Sequence, residues 1–197
     1  MEPLERVRAV LDAEAAAIRN VPVTGAFGEA LERMAACRGK LVTTGIGKAG
    51  HIARKFAATL SSTAAPAIFM HPAEAAHGDL GVLAPGDCVF AFSTSGKSRE
   101  VLECLELAHH LEVHDIIGIT SHPDSRLREL ASIVLDMGEI EEPCPLGLTP
   151  SASIAVMLAI SDALALALLE LRGVTRADYG LRHHGGYLGR AARIDNT

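Results

Sequence analysis

Val89-Phe90-Ala91-Phe92-Ser93-Thr94-Ser95-Gly96-Lys97-Ser98-Arg99-Glu100 is an apolar run that breaks into hydroxyls and then into a helical pattern. Val89 to Phe92 reads as a buried strand. From Glu100 to Leu111, the apolar residues Val101, Leu102, Leu105 and Ala108 recur at helical spacing. A hydroxyl-rich loop therefore joins the end of a strand to the start of a helix. Helix starts present unpaired backbone N–H groups and the positive end of the helix dipole. Gly96 lets the backbone come close to a ligand, and Ser93, Thr94, Ser95 and Ser98 add hydroxyl donors. Donors without an acid favour a dianion such as a phosphate ester. Ser98 taken alone also reads as a simple helix cap; a cap needs one hydroxyl, and four surround this glycine.

The pattern repeats outward along the chain. Residues 4 to 19 place Leu4, Val7, Val10, Leu11 and Ile18 at roughly helical spacing, Pro22 ends that helix, and Thr24 caps the next, to about Ala36. Leu41 to Thr44 is a short strand that stops at Gly45-Ile46-Gly47-Lys48-Ala49-Gly50, with a helix from His51 to Leu60. Ala67 to Met70, Asp115 to Thr120 and Ile133 to Leu135 are further strands, and Ser125 to Leu130 is a short helix. Gly138 to Leu148 is a long loop, followed by a helix from Ser151 to Leu171 that Gly173 closes. Short apolar strands alternating with helices indicate an α/β fold: a three-layer sandwich with a five-stranded parallel sheet. Ligands of such sheets bind at the carboxyl ends of the strands. The Gly45 loop, His71, Ser93 to Ser98 and Ser121-His122 all fall there.

The chain of 197 residues is 49% hydrophobic and 21% charged, enough for one globular domain over residues 1–197, with N-terminal helices (4–36), an α/β core (40–171) and a tail (174–197). A net charge of -6 argues against nucleic acid or an anionic membrane as partner. The four cysteines, Cys37, Cys88, Cys104 and Cys144, show no CxxC pair or zinc spacing, and Cys88 and Cys104 read as buried thiols. The N-terminus has no signal-peptide pattern, and the apolar run Ile154 to Leu171 is interrupted by Ser161-Asp162, which favours a core helix over a membrane span. The expectation is a soluble, cytoplasmic, reduced protein.

Four further stretches carry chemistry. Gly45, Gly47 and Gly50 fit G-x-G-x-x-G, but the second strand ends in Met70-His71-Pro72 with no acid to hold a ribose hydroxyl, so a dinucleotide site is weakly supported. His71-Pro72-Ala73-Glu74-Ala75-Ala76-His77-Gly78-Asp79 offers metal-ligand types, yet no three show a helix-face zinc spacing, and a hydrogen-bonded loop lining a pocket is the favoured reading. In the long loop Glu142 is a candidate base, and Thr149 or Ser151 is placed to cap the next helix and touch a ligand; a solvated acidic loop is the alternative. His183-His184-Gly185-Gly186 suits a tight bend that fixes an imidazole as acid or base near neutral pH, or a solvent histidine at a helix end.

In this order, Gly45-x-Gly-Lys-x-Gly50, His71-Pro-x-Glu-Ala-x-His-Gly-Asp-Leu80-Gly, Ser93-x-Ser-Gly-x-Ser98, Cys144-Pro-Leu-Gly-Leu-x-Pro150 and His183-x-Gly-Gly-x-Leu-Gly-Arg190 resemble the sugar isomerase (SIS) domain of D-arabinose 5-phosphate isomerases, over about residues 5 to 192. The resemblance implies a flavodoxin-like fold, a homotetramer, and interconversion of D-ribulose 5-phosphate and D-arabinose 5-phosphate at the opening of the Kdo pathway. It implies that Ser93, Ser95 and Ser98 hold the phosphate and that Lys48, Glu100, Glu142 and His183 surround the sugar. Gly47, Thr94, Thr149, Ser151 and His77 complete the expected binding set. The sequence departs from the family in three respects: it stops at Thr197, where many relatives continue into a CBS pair; Lys97 stands where the family usually has Glu; and His184 and Tyr187 replace the usual Pro and a small residue.

The leading expectation is thus an aldose–ketose isomerase of a pentose phosphate that works through a cis-enediol and needs no metal or redox cofactor. Glu142 is the first choice for the C1–C2 base and His183 for ring opening, and the two roles are exchangeable. The alternatives are a non-catalytic sugar-phosphate sensor and an isomerase of another sugar phosphate, such as a hexulose phosphate. Only about 40 residues precede the first strand, too few for a DNA-binding module ahead of the SIS helices.

Overall fold

The structure, a computed structural model, describes residues 2–63 and 65–193. Its centre is one sheet of five parallel strands: β1 (Leu41–Gly45), β2 (Ala67–Met70), β3 (Cys88–Phe92), β4 (Asp115–Thr120) and β5 (Ile133–Asp136), in the order β2-β1-β3-β4-β5. All five residues of β1 and of β3 are buried, as strands covered on both faces must be. The strand period of two then sorts side chains by face. Phe90 and Phe92 point to one layer, where Phe56 meets them edge-on at centroid distances of 5.2 and 6.0 Å. Val89 and Ala91 point to the other, against Val101 and Leu105.

The first layer contains α2 (Gly25–Ala36), α3 (Gly47–Ser62) and α7 (Ala152–Leu171), with α1 (Pro3–Arg19) laid over α7. The second contains α4 (Pro72–Ala75), α5 (Arg99–His110) and α6 (Arg126–Leu130). The tail forms α8 (Arg176–Arg182) and α9 (Gly186–Arg193), whose main packing is with each other. The three-layer sandwich expected from the alternation is therefore present. α7 is long and apolar enough to cross a membrane, but Val156, Met157, Ile160, Leu164 and Leu168 are buried in the protein.

Local chemistry explains where the boundaries differ from the periodicity. The helix expected from His51 begins at Gly47, because Gly47 takes φ +61° directly after β1 and the chain turns at once. α4 is a single turn inside the His71 to Asp79 loop, started by Pro72 at its first position. Neither Thr149 nor Ser151 caps α7: Ser151 precedes the helix without a side-chain cap bond. The carboxylate of Glu142 takes that place from nine residues back, accepting the N–H groups of Ser151 (2.7 Å), Ala152 (2.9 Å) and Ser153 (3.2 Å).

Candidate functional site

The chain leaves β1 for β2 on one side and returns to place β3 on the other, so the loops after β1 and β3 diverge. Doubly wound sheets open a ligand crevice at such a point. Here it is a cleft of about 460 Å³, walled by Lys48 at the start of α3, by Ser93, Thr94, Ser95 and Ser98, and by Ser121 and His122 after β4. Pro150 and Ile154 close one side.

The loop after β3 is pinned at both ends. The Ser93 N–H donates to the Ile119 carbonyl at 3.1 Å, and the Thr94 carbonyl accepts from Thr120 Oγ1 (3.0 Å) and from the N–H and Oγ of Ser121 (both 3.1 Å). Gly96 has φ +61°, and a Cβ there would lie 2.3 Å from Ser125 Oγ, so neither the backbone nor the space admits a side chain. The Gly96 N–H donates to Ser93 Oγ at 3.1 Å.

Ser98 precedes α5 but makes no side-chain cap bond; its Oγ sits 3.1 Å from Ser93 Oγ instead. The cap reading of Ser98 is thereby corrected. α3 likewise starts after Ile46 with no side-chain cap. Two uncapped helix starts thus meet a cleft ringed by hydroxyls and one lysine, which is the chemistry of an anion site. The glycines of the G-x-G-x-x-G run have local causes: Gly47 supplies the positive φ, and a Cβ at Gly50 would approach the Gly45 carbonyl oxygen to 2.5 Å. Close packing accounts for the pattern without a dinucleotide.

The structure gathers Lys48, Ser93, Thr94, Ser95 and Ser98 in the cleft, as expected from the sequence. Gly47 borders an adjoining hollow with His51, Arg54 and His71. Glu100 is half-buried in the first turn of α5. Glu142, half-buried at the start of α7, faces a second hollow, against α1. Ser151 Oγ donates to Glu14, and Thr149 is exposed in the same loop. His77 is exposed beyond α4. His71, Glu74, His77 and Asp79 do not converge: among the described residues no group of three His, Cys, Asp or Glu is placed to hold a metal ion. His183 lies at the bend between α8 and α9, as its glycines suggest, with its ring stacked on Tyr179 at 3.8 Å and Nδ1 3.0 Å from the Tyr179 carbonyl oxygen.

Two residues gain contacts that the sequence does not specify: His122, already placed at a strand end, and Cys144. His122 lines the cleft, its Nε2 3.5 Å from Lys97 Nζ and its backbone carbonyl bonded to Arg128 Nε at 2.7 Å. Arg128 is fixed in turn by Asp136. The position of His122 after a strand and before Pro123 was the available signal. Cys144 is the other. The Thr149 hydroxyl, then the N–H groups of Thr149, Leu146 and Leu148, pull its thiol down to about 6. Burial instead pushes Cys88 far up and Cys104 to about 11, as expected of core thiols.

The model of the SIS domain family matches residues 34–167. Arabinose 5-phosphate isomerase KdsD of Escherichia coli (strain K12) is 48% identical over 164 residues, covering 83% of this chain and 50% of that protein. The Pseudomonas aeruginosa enzyme of that name is 45% identical over the same shares. The chain thus spans about half the length of the curated relatives it matches. Among solved structures, a Bacteroides fragilis protein described as a phosphosugar isomerase involved in capsule formation superposes with a TM-score of 0.91 at 42% identity, over 94% of this chain and 100% of that one. A protein of E. coli CFT073 in complex with arabinose 5-phosphate does so with a TM-score of 0.88 at 37% identity, over 93% and 100%. With a strand order, a hydroxyl loop and a family match that agree, this chain belongs to the SIS domain family.

Proposed function

We propose that this protein interconverts D-ribulose 5-phosphate and D-arabinose 5-phosphate. The observation that carries the reading is the hydroxyl loop Ser93 to Ser98 at the uncapped start of α5, facing the cleft that Lys48 shares. It has the donors for a phosphate and no acid within the loop to repel one. The likeness to proteins named for this activity, and to one bound to arabinose 5-phosphate, supports the choice of sugar.

Isomerisation moves a proton between C1 and C2 through a cis-enediol, so it needs a base that reaches both carbons and a partner that shuttles the oxygen-bound protons. Glu142 takes the carbon-bound proton in this proposal, releasing one of its three amide contacts to the substrate, and His183 opens the ring. Lys48 stabilises the developing oxyanion. Glu100, Gly47, Thr94, Thr149, Ser151 and His77 complete the sugar's surroundings.

The exposed apolar side chains of α1 (Leu4, Val7, Leu11) and of the tail (Leu181, Tyr187, Leu188) fit a homotetramer in which His183 enters a neighbour's site. The net charge of -6 suits a cytoplasmic enzyme of small anions rather than a nucleic-acid or membrane binder. N-terminal helices, core and tail act as one unit over residues 1–197. Incubation with ribulose 5-phosphate, followed by NMR of the products, tests the activity. Arabinose 5-phosphate is the expected product; a substrate left unchanged would overturn the proposal, and turnover of a hexulose phosphate instead would reassign the sugar.

A further inference from the structure

The opposite end of the sheet carries a second arrangement of side chains. His109 lies in the last turn of α5, and His114 directly precedes β4. Their imidazoles stack with centroids 5.6 Å and planes 29° apart, and the two Nδ1 atoms are 3.3 Å from each other. His109 Nε2 lies 3.0 Å from the carbonyl oxygen of Leu130 at the end of α6. A carbonyl only accepts, so in the neutral ring the proton sits on Nε2 and the Nδ1 lone pair of His109 is left facing His114.

The turn that brings the rings together is built for it. Glu112 adopts φ +60°, the one positive φ at a non-glycine among the described residues. Residues with a Cβ rarely adopt that left-handed conformation. It lets the Glu112 N–H reach the His109 carbonyl at 3.0 Å and the Val113 N–H reach the Ala108 carbonyl at 3.1 Å. Val113 is 1% exposed and anchors the return, which sets the exposed His114 over His109.

We propose that His109 and His114 form a two-nitrogen chelate for a divalent first-row transition ion. Such ions hold imidazole nitrogen at about 2.0–2.1 Å, and from that distance two nitrogens 3.3 Å apart subtend about 104–111°, close to the tetrahedral angle. The Leu130 carbonyl on the remote nitrogen is the partner that fixes a metal-binding imidazole's tautomer and orientation. No third His, Cys, Asp or Glu among the described residues joins the pair, and the neighbouring Asp115 is bound to Arg33 at 3.0 Å. Water fills the remaining positions. Imidazole suits Cu²⁺, Ni²⁺ and Zn²⁺, whereas Mg²⁺ and Ca²⁺ require oxygen. The ion clips the carboxyl end of α5 to the start of β4, and the other end of α5 faces the cleft. An ion that binds only the folded chain raises its Tm.

Calorimetric titration of the full chain with NiCl2, and thermal unfolding with and without it, test the site. Wild type binds Ni²⁺ with a rise in Tm and shows no rise with Mg²⁺. His114→Ala and, separately, His109→Ala bind at least about tenfold more weakly, since losing even an outer partner of a ligand costs that much. The double variant His183→Ala/His184→Ala keeps the wild-type affinity, which separates the site from the tail histidines. A wild type whose Tm ignores Ni²⁺, wild-type affinity in His114→Ala, or loss of affinity in the tail variant would each overturn the assignment.

Discussion

Ser95 Oγ accepts the Lys97 N–H at 3.2 Å and lines the cleft, so its own hydrogen is left for a ligand. A phosphate is held in ground and transition states alike, so Ser95→Ala raises KM and spares kcat. The scale is about 1–3 kcal/mol for a charge-assisted bond; steady-state kinetics showing an unchanged KM would remove Ser95 from the anchor. Lys97 reaches His122 across the rim of the cleft rather than standing alone in solvent. Lys97→Glu reverses the charge there and shifts kcat/KM away from sugar bisphosphates and toward the pentose monophosphate; equal ratios for both proteins would leave Lys97 a solvated residue. Cys144 gives a pH test. With its thiol drawn down to about 6 by Thr149, alkylation by iodoacetamide rises through that pH, and Thr149→Val moves the rise upward. The serine loop was legible because its donors are contiguous. His122 was legible as a strand-end position, but its contacts with Lys97 and Arg128, and the Thr149 contact of Cys144, were not, because they form only after the chain has folded.

Between elements, the turn ahead of β3 depends on one buried acid. Asp87 is 2% exposed and accepts from Lys40 Nζ (2.6 Å) and from the N–H groups of Lys40 and Ala84 (both 2.9 Å). Burial opposes its charge, but the Lys40 ammonium and the two amides outweigh burial and hold the carboxyl below its ordinary value. A carboxyl lowered in the folded state stabilises above the unfolded pKa, about 3.9, and loses that contribution as pH falls through the folded value. Urea denaturation therefore shows stability falling below about pH 4, and Asp87→Asn flattens that fall. Glu142 does comparable work for α7 by satisfying three N–H groups that its start leaves open. Glu142→Ala lowers the urea midpoint by about 1–3 kcal/mol of stability, the cost of unpaired buried donors, whereas a cap supplied by Ser151 would leave it unchanged. The sequence shows strands and long helices because their apolar periods are local. It does not show this cap, since a carboxylate nine residues upstream carries no positional mark.

For the molecule as a whole, the parallel sheet followed from the alternation of strand and helix, while the relation of tail to cleft did not. Periodicity ends at Gly173, and α8 and α9 pack chiefly on each other, with Leu181, Tyr187 and Leu188 exposed. Apolar surface of that kind is covered in an assembly. The proposed homotetramer covers it with a neighbouring copy and brings His183 to a cleft whose phosphate loop belongs to another chain. His183 is held ready for this by its stack on Tyr179 and by the contact of Nδ1 with the Tyr179 carbonyl. In the neutral ring that contact puts the proton on Nδ1 and leaves the Nε2 lone pair to take or pass one. Two variants then fail in different copies of the site. His183→Ala lowers kcat and leaves the Tm near wild type, and Glu142→Ala also loses activity. Mixed under conditions in which subunits exchange, they form some clefts that carry Glu142 from one chain and His183 from the other, and activity returns in part. Exchange verified by mass spectrometry with no recovery of activity would place both residues in the same chain's site.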